Sequence, residues 1–326
     1  MHILFLSDNF PPETNAPASR THEHTRRWVA AGHRVTVITG APNFPSGRVH
    51  AGYENRLWSR ESIDGIEVLR VWTYITANEG FLRRTLDYMS FMVTSTLASF
   101  FVRKVDVIVA TSPQFFTPCA AWVVSLLRRR PFIFELRDLW PDSILAVGAM
   151  RETFAIRMLR KLEYFLYRRA DRIVAVTQSF RTILSGNGID AAKIVVVPNG
   201  VDLDTFIPGA RPAELAAKWG VSNQFVAAYV GTIGMAHGLG TILDAAVQLR
   251  GSTNVTFMLI GDGAERAVLE SRCRELGLSS ILFVGPVSKA EVREYWKLCS
   301  AALVLLRDSP LLFVFFSCMF LVSMVL

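Results

Sequence analysis

Short apolar runs recur along this chain, each followed by a stretch of helical period, and that alternation restricts the possible folds most. The segments "HILFLS", "RVTVIT", "IEVLRVW", "DVIVAT", "FIFEL", "RIVAVT" and "KIVVVP" fall within the first 198 residues. Helical stretches such as "ASRTHEHTRRWVAAG" separate them. A strand apolar at consecutive positions is buried on both faces, and a parallel sheet covered by helices on both sides achieves that. The stretch "PNGVDLDTFIPGARPAELAAKWG", rich in Pro, Gly and Asp, interrupts the pattern and predicts a domain boundary near residue 207. A second series follows, with strands at "FVAAYVG", "VTFMLIG", "ILFVG" and "AALVLL" and three helices, from Leu239, over "GAERAVLESRCREL" and over "SKAEVREYWKLC". The expected fold class is α/β, with two doubly wound Rossmann-like domains over residues 1–207 and 208–308. They are expected to face a cleft at the carboxyl ends of their strands, where such sheets bind ligands.

The composition agrees with this. A chain of 326 residues has room for two domains, and 51% hydrophobic against 19% charged residues describes a globular protein. Cys119, Cys273, Cys299 and Cys318 stand far apart, which excludes a disulfide framework or a zinc site and predicts a reduced, cytoplasmic protein. The opening "MHILFLSDNF" lacks the basic leader of a signal peptide and reads as a strand. The net charge of +7 is concentrated in residues 1–207, which hold 25 Lys and Arg against 19 Asp and Glu. Between Arg83/Arg84 and Arg103/Lys104, the run Met89–Val102 carries no charge; at 14 residues it is too short to cross a bilayer. It reads either as a core helix with solvated basic ends or as a face against anionic lipid. A second basic helix, with Arg157, Arg160, Lys161, Arg168 and Arg169, repeats the theme. No nucleic-acid partner is expected, because these arginines alternate with large aliphatic residues and no known binding module frames them.

Three strand-to-helix turns carry candidate chemistry. In "YVGTIGMAHGLGTILDAA", Gly231, Gly234, Gly238 and Gly240 precede a helix, where bare backbone N–H groups attract a phosphate. The spacing is not the dinucleotide fingerprint, so the turn by itself suits a tight connection equally well. His237 within it reads as a surface residue or as a donor to phosphate. In "MLIGDGAERAVLE", Gly261-Asp262-Gly263 and Glu265 form either an ordinary turn or a backbone contact to a nucleotide. In "FIFELRDLWPDSI", Arg137-Asp138 follows a strand end, either as a structural ion pair or as substrate-facing groups. The Asp202-x-Asp204 pattern sits beside Asn199-Gly200 and reads as turn chemistry, and no metal site is expected.

Taken in order, "FPPETNAPASR", "GHRVTVITGAPNFPSGRVHAGYENRLW", "ELRDLWPDS", "VVPNGVDLDTF", "YVGTIGMAHGL" and "LIGDGAER" resemble the GT-B glycosyltransferases of family 4 (group 1). The resemblance runs from residue 1 to about Asp308 and is nearest to bacterial O-antigen and capsule enzymes such as the L-fucosamine transferases. It implies that a sugar moves with retention from a nucleotide sugar, expected to be UDP-linked, to a polyprenyl-diphosphate-linked saccharide. No metal or other cofactor is implied, and the inner face of the cytoplasmic membrane is the expected place of work. Carried over residue by residue, Asn15, Ala16 and Arg20 fall on the loop beside donor phosphate and acceptor, with Asn15-Ala16 where many members have paired glycines. Arg137 and Asp138 fall on the catalytic slot of a common His-Asp pair. Gly231, Thr232, His237, Gly238, Gly261, Asp262, Gly263 and Glu265 fall on the donor nucleotide. Thr232 and His237 stand in the loop where many relatives have an arginine and a lysine.

The resemblance also implies a later helix with two glutamates, further strands and a closing helix, whereas this chain continues into "LLFVFFSCMFLVSMVL" with no glutamate after Glu294. The expectation is an incomplete second domain and an apolar tail, residues 309–326, left by truncation or a frame change. Two other readings stay open: a catalytically inactive fragment or binding module, and a sugar-nucleotide epimerase of the same fold.

Overall fold

The computed structural model describes residues 1–307 apart from 45, 77–80, 113, 143–144, 146–151, 205 and 252–253. The expected tail, 309–326, lies outside the described residues. Internal packing divides the chain into two compact units, one ending at Pro198 and the other starting at Asn199.

The first unit is built on an eight-stranded sheet: β1 (His2–Leu6), β2 (Arg34–Gly40), β3 (Trp58–Ile63), β4 (Ile66–Val71), β5 (Val107–Thr111), β6 (Phe132–Leu136), β7 (Arg172–Ala175) and β8 (Ile194–Val196). The order is β3-β4-β2-β1-β5-β6-β7-β8. Every pairing is parallel except β3 with β4. Helices α1 (Ala16–Ala30), α2 (Phe81–Ser99), α3 (Phe116–Arg128), α4 (Phe154–Arg169) and α5 (Gln178–Gly186) connect the strands. Because α1 leads from β1 toward one edge and α2–α5 lead toward the other, right-handed crossovers place α1 on one face and α2–α5 on the opposite face.

Seven of these strands are the seven apolar runs of the sequence. The eighth, β3, is "WSRESI", whose residues alternate between exposed and half-buried. An antiparallel edge strand needs only one apolar face, so it lacks the continuous run by which its neighbours are recognised. On the α1 face, Ile3, Phe5, Val35, Val37, Ile66 and Val68 form a buried core. Next to it an apolar groove of about 380 Å3 runs over β5, β6 and β7, lined by Val107, Val109, Ile133 and Val174 and bordered by Glu135.

The second unit has a four-stranded parallel sheet in the order β11-β10-β9-β12, with β9 (Phe225–Val230), β10 (Val255–Ile260), β11 (Ile281–Gly285) and β12 (Ala301–Ala302). Its helices are α6 (Ala213–Lys218), α7 (Gly240–Gln248), α8 (Arg266–Glu275) and α9 (Lys289–Leu298). Along β9 the side chains point alternately to two cores, Ala227 and Tyr229 into one and Val226 and Ala228 into the other. That explains why the strand reads as an unbroken apolar run. Helix α9 opens with a capping box, in which Ser288 Oγ accepts from Glu291 N and Glu291 Oε2 accepts from Ser288 N at 2.8 Å. Helix α6 lies inside the stretch that composition marks as a linker.

Candidate functional site

In the first unit the loop after β1 is held by buried polar contacts. Asn15 is the N-cap of α1, its Oδ1 accepting from Ala18 N at 2.9 Å, and its amide donates to Asn9. Glu13 Oε1 accepts from the backbone N–H groups of Asn43 and Phe44 at 2.8 and 2.9 Å. Burial raises the Glu13 carboxyl, partly offset by those two donors. Arg70, 3% exposed, donates to Pro11 O at 2.5 Å and to Gly40 O at 3.0 Å, pairs with Glu61 and stacks on Tyr53. The loop "FPPETNAPASR" is thus fastened to β2 and β4 by Arg70 and Glu13, two residues for which the sequence pattern assigned no role.

Arg20 follows one turn into α1 and is buried. Its Nε donates to Glu135 Oε1 at 3.0 Å and its terminal nitrogen to Val197 O at 3.3 Å. His24, one turn further, brings Nδ1 within 3.4 Å of the same carboxylate oxygen. Burial alone would raise the Glu135 carboxyl; the hydrogen bond from His24 and the charges of Arg20 and Arg137 outweigh it and hold the group at about 2. Glu135 is therefore a carboxylate at the end of β6. Immediately after it, the backbone N–H groups of Arg137 and Asp138 both point to Ser112 Oγ at the end of β5, at 2.8 and 3.4 Å. The Arg137 guanidinium lies 3.5 Å from Ala16 O. Of the residues expected on the acceptor and catalytic side, Asn15, Ala16, Arg20, Arg137 and Asp138 are thus gathered by β1, α1, β5 and β6. Glu135 and His24, which the sequence reading passed over, form the hub between them.

In the second unit the two glycine turns interlock beyond the strand ends. Gly231 N donates to Ile260 O, Ile233 N to Asp262 O and Glu265 N to Ile233 O, at 2.9, 2.9 and 3.0 Å. The approach is so close that a Cβ on Gly261 would stand 1.9 Å from Gly231 O, and one on Gly263 2.4 Å from Ile233 O. Gly261 also has φ +137°, a backbone conformation open only to glycine. The Asp262 carboxylate accepts from Gly263 N at 2.9 Å and so closes the turn locally. The N-cap position of α8 is held by Glu265, without a side-chain cap.

Leu239, the N-cap of α7, has no capping side chain either, and among the described residues the N–H groups of Gly238, Leu239 and Gly240 find no acceptor. Such a helix start presents positive potential to an anion. Thr232 is exposed. His237 packs edge-on against Tyr229 at 5.7 Å, and Tyr229 Oη donates to Thr232 O at 2.7 Å. Burial lowers the His237 pKa, so the ring is a neutral hydrogen-bonding group at neutral pH, its Nδ1 unpartnered among the described residues. A cation does reach these loops, from a residue to which the sequence reading gave no role. Arg307 donates its N–H to Ala236 O at 2.8 Å, packs over Gly238 and brings its guanidinium within 3.6 Å of Glu265 Oε1.

The Asp202-x-Asp204 pattern is a turn, with Asp202 Oδ1 accepting from Asp204 N at 3.3 Å. Among the described residues no three His, Cys, Asp or Glu side chains converge as a metal-ligand set.

Comparison with known proteins agrees with this architecture. Residues 15–200 match the glycosyl transferase 4-like domain, and residues 213–309 match the glycosyl transferases of group 1. The chain is 25% identical over 291 residues to WcaI of Escherichia coli (strain K12), a glycosyl transferase named for colanic acid biosynthesis; the match covers 87% of this chain and 71% of WcaI. Its fold is similar to that of Anabaena Alr3699/HepE, crystallised with UDP and glucose, at a TM-score of 0.66 and 19% identity over 93% of this chain and 73% of that one. It is likewise similar to WaaG, a glycosyltransferase involved in lipopolysaccharide biosynthesis, at a TM-score of 0.61 and 16% identity over 94% and 75% of the two chains. With a 4-like domain and a group 1 domain in tandem on two sheets of this topology, the chain belongs to the GT-B glycosyltransferases of group 1.

Proposed function

We propose that the protein transfers a hexosyl or N-acetylhexosaminyl group from a UDP-linked donor to a polyprenyl-diphosphate-linked saccharide, with retention of configuration, in the synthesis of O-antigen or capsule. The observation that carries this reading is the pair of interlocked glycine turns in the second unit, whose N–H groups at Gly238, Leu239 and Gly240, without an acceptor among the described residues, suit a diphosphate. The UDP and glucose bound by HepE support the choice of donor. As the bond from the sugar to the diphosphate breaks, negative charge grows on the leaving phosphate. The start of α7 and the Arg307 guanidinium are the groups of this chain that meet it, a preorganised positive site that requires no metal in this reading.

Gly231, Thr232, His237, Gly261, Asp262, Gly263 and Glu265 line the donor nucleotide in this account, with neutral His237 acting as a hydrogen-bonding group. Asn15, Ala16, Arg20, Arg137 and Asp138 serve the acceptor side. Arg137 binds negative charge on the acceptor, and Arg20 acts by fixing Glu135 rather than by touching substrate. Incubation of the full chain with labelled UDP-sugars and a polyprenyl-diphosphate saccharide, in EDTA, tests it. Labelled lipid-linked product with the donor's anomeric configuration supports the proposal. UDP binding without transfer supports a binding module instead, and interconversion of the free nucleotide sugar an epimerase.

A further inference from the structure

The second unit carries a cleft of about 600 Å3 at the amino ends of β9, β10 and β11, the opposite end of the sheet from the glycine turns. Because β9 is six residues long, the two ends lie about 20 Å apart. Trp219, Leu278 and Leu282 form apolar walls, and Thr256, Ser279, Ser280 and Arg250 stand among them. A pocket of this size holds a small molecule, and its polar groups without protein partners decide which chemistry it takes.

Those groups are donors. Thr256 is 8% exposed, yet its hydroxyl makes no hydrogen bond among the described residues. A hydroxyl so buried normally has a partner, which leaves this one for a ligand. The hydroxyls of Ser279 and Ser280 are likewise without a partner there, and the N–H groups of Gly251, Ser279 and Ser280 find no acceptor. Three carbonyls of the lining, by contrast, are already occupied. Phe257 N donates to Ser280 O at 2.8 Å, and the Arg211 guanidinium to Val221 O and Gln224 O at 2.6 and 3.1 Å. Charge has the same sign. Arg250 stands exposed at the rim, steadied by donation to Leu276 O, and Arg211 lies behind Val221 with its Nε buried and unpartnered among the described residues. No Asp or Glu lines the cleft. We propose that this cleft binds a phosphate monoester of a small polyol, such as a sugar phosphate, at a site separate from the glycine turns. The phosphate takes the free donors and Arg250, and the carbon body lies against Trp219 and Leu282. A neutral sugar would leave the cation uncompensated, and inorganic phosphate would leave most of the volume unfilled.

Calorimetric titration of the full chain with glucose 1-phosphate, inorganic phosphate and glucose tests this. Glucose 1-phosphate should bind once per chain, about tenfold or more tightly than either of the others. An excess of UDP should leave that affinity unchanged, because the two ends of the sheet are about 20 Å apart. Thr256→Val keeps the side-chain shape and should lose about tenfold in affinity, and Arg250→Gln, at the exposed rim, about as much. Circular dichroism checks that each variant is folded, and Arg250→Gln decides the matter should Thr256→Val not fold. No binding of glucose 1-phosphate, binding no tighter than that of inorganic phosphate or of glucose, competition by UDP, or undiminished binding by either folded variant would overturn the proposal.

Discussion

Replacing Gly261 by Ala tests whether the two donor turns must touch. The new Cβ would stand 1.9 Å from Gly231 O, where real contacts are not closer than 3.0 Å, so one carbonyl must move by more than an ångström. That carbonyl belongs to a residue whose own N–H is held by Ile260 O, while Gly261 N is itself bonded to Gly285 O, each at 2.9 Å. Losing one of these bonds costs about 1 kcal/mol, and holding alanine at φ +137° about 1–3 kcal/mol more. The sum is about 3 kcal/mol against the second unit. Gly277→Ala is the control. Gly277 has φ +60° at the end of α8 with no atom within 4 Å of its Cβ position, so it carries the left-handed strain alone, about 1 kcal/mol. Urea unfolding of the two variants, with the amides of β9 and β10 followed by hydrogen exchange, separates them. Equal losses, or a Gly261→Ala variant within about 0.5 kcal/mol of the parent, would refute the claim that the turns interlock.

Other predictions concern buried charge, thiols and caps. Glu135→Gln leaves Arg20 buried without its carboxylate and should cost about 3 kcal/mol in urea unfolding at pH 6. Because the folded Glu135 titrates at about 2, below its unfolded range, its contribution is complete above about pH 4.5 and is lost as pH falls toward 2. The gap between parent and variant should therefore narrow by pH 3, and a constant gap would contradict the ion pair. Asp87 has the opposite sign: its folded carboxyl sits at about 6, so its effect on stability worsens as pH rises from about 4 through 6. Asp87→Asn should gain melting temperature on the parent at pH 8 relative to pH 4. The Cys119 thiol, buried and pushed up to about 12, should resist a disulfide reagent at pH 8 until urea is added. Ser288→Ala removes the capping box of α9 and should lower stability by about 1 kcal/mol in thermal unfolding.

Most of the fold was legible because its strands are buried on both faces, and all eleven continuous apolar runs that the sequence shows correspond to strands. Strand β3 was not, since an edge strand with residues such as Ser59 and Glu61 resembles a loop until its partner is known. The donor turns were visible through their glycines, yet spacing could not show that Gly261 packs on Gly231; that depends on the register of β9 with β10. Arg307 escaped notice because it lies beyond β12, 69 positions from the Gly238 it covers, and only the fold brings the two together. Glu135 carried a signal, a lone acid in the apolar run "FIFEL", since a buried carboxylate needs cationic partners. Arg20 and His24, one helical turn apart on α1, are those partners.

Calorimetric titration of the full chain with UDP and with uridine tests the donor site most directly. In the proposed function the N–H groups at the start of α7 and Arg307 meet the diphosphate and not the base, and charge-assisted hydrogen bonds contribute about 1.5–3 kcal/mol each. Two such bonds make UDP bind about 100-fold or more tightly than uridine, with one UDP per chain. Equal affinity for the two ligands, or no measurable UDP binding by the folded protein, would contradict the account.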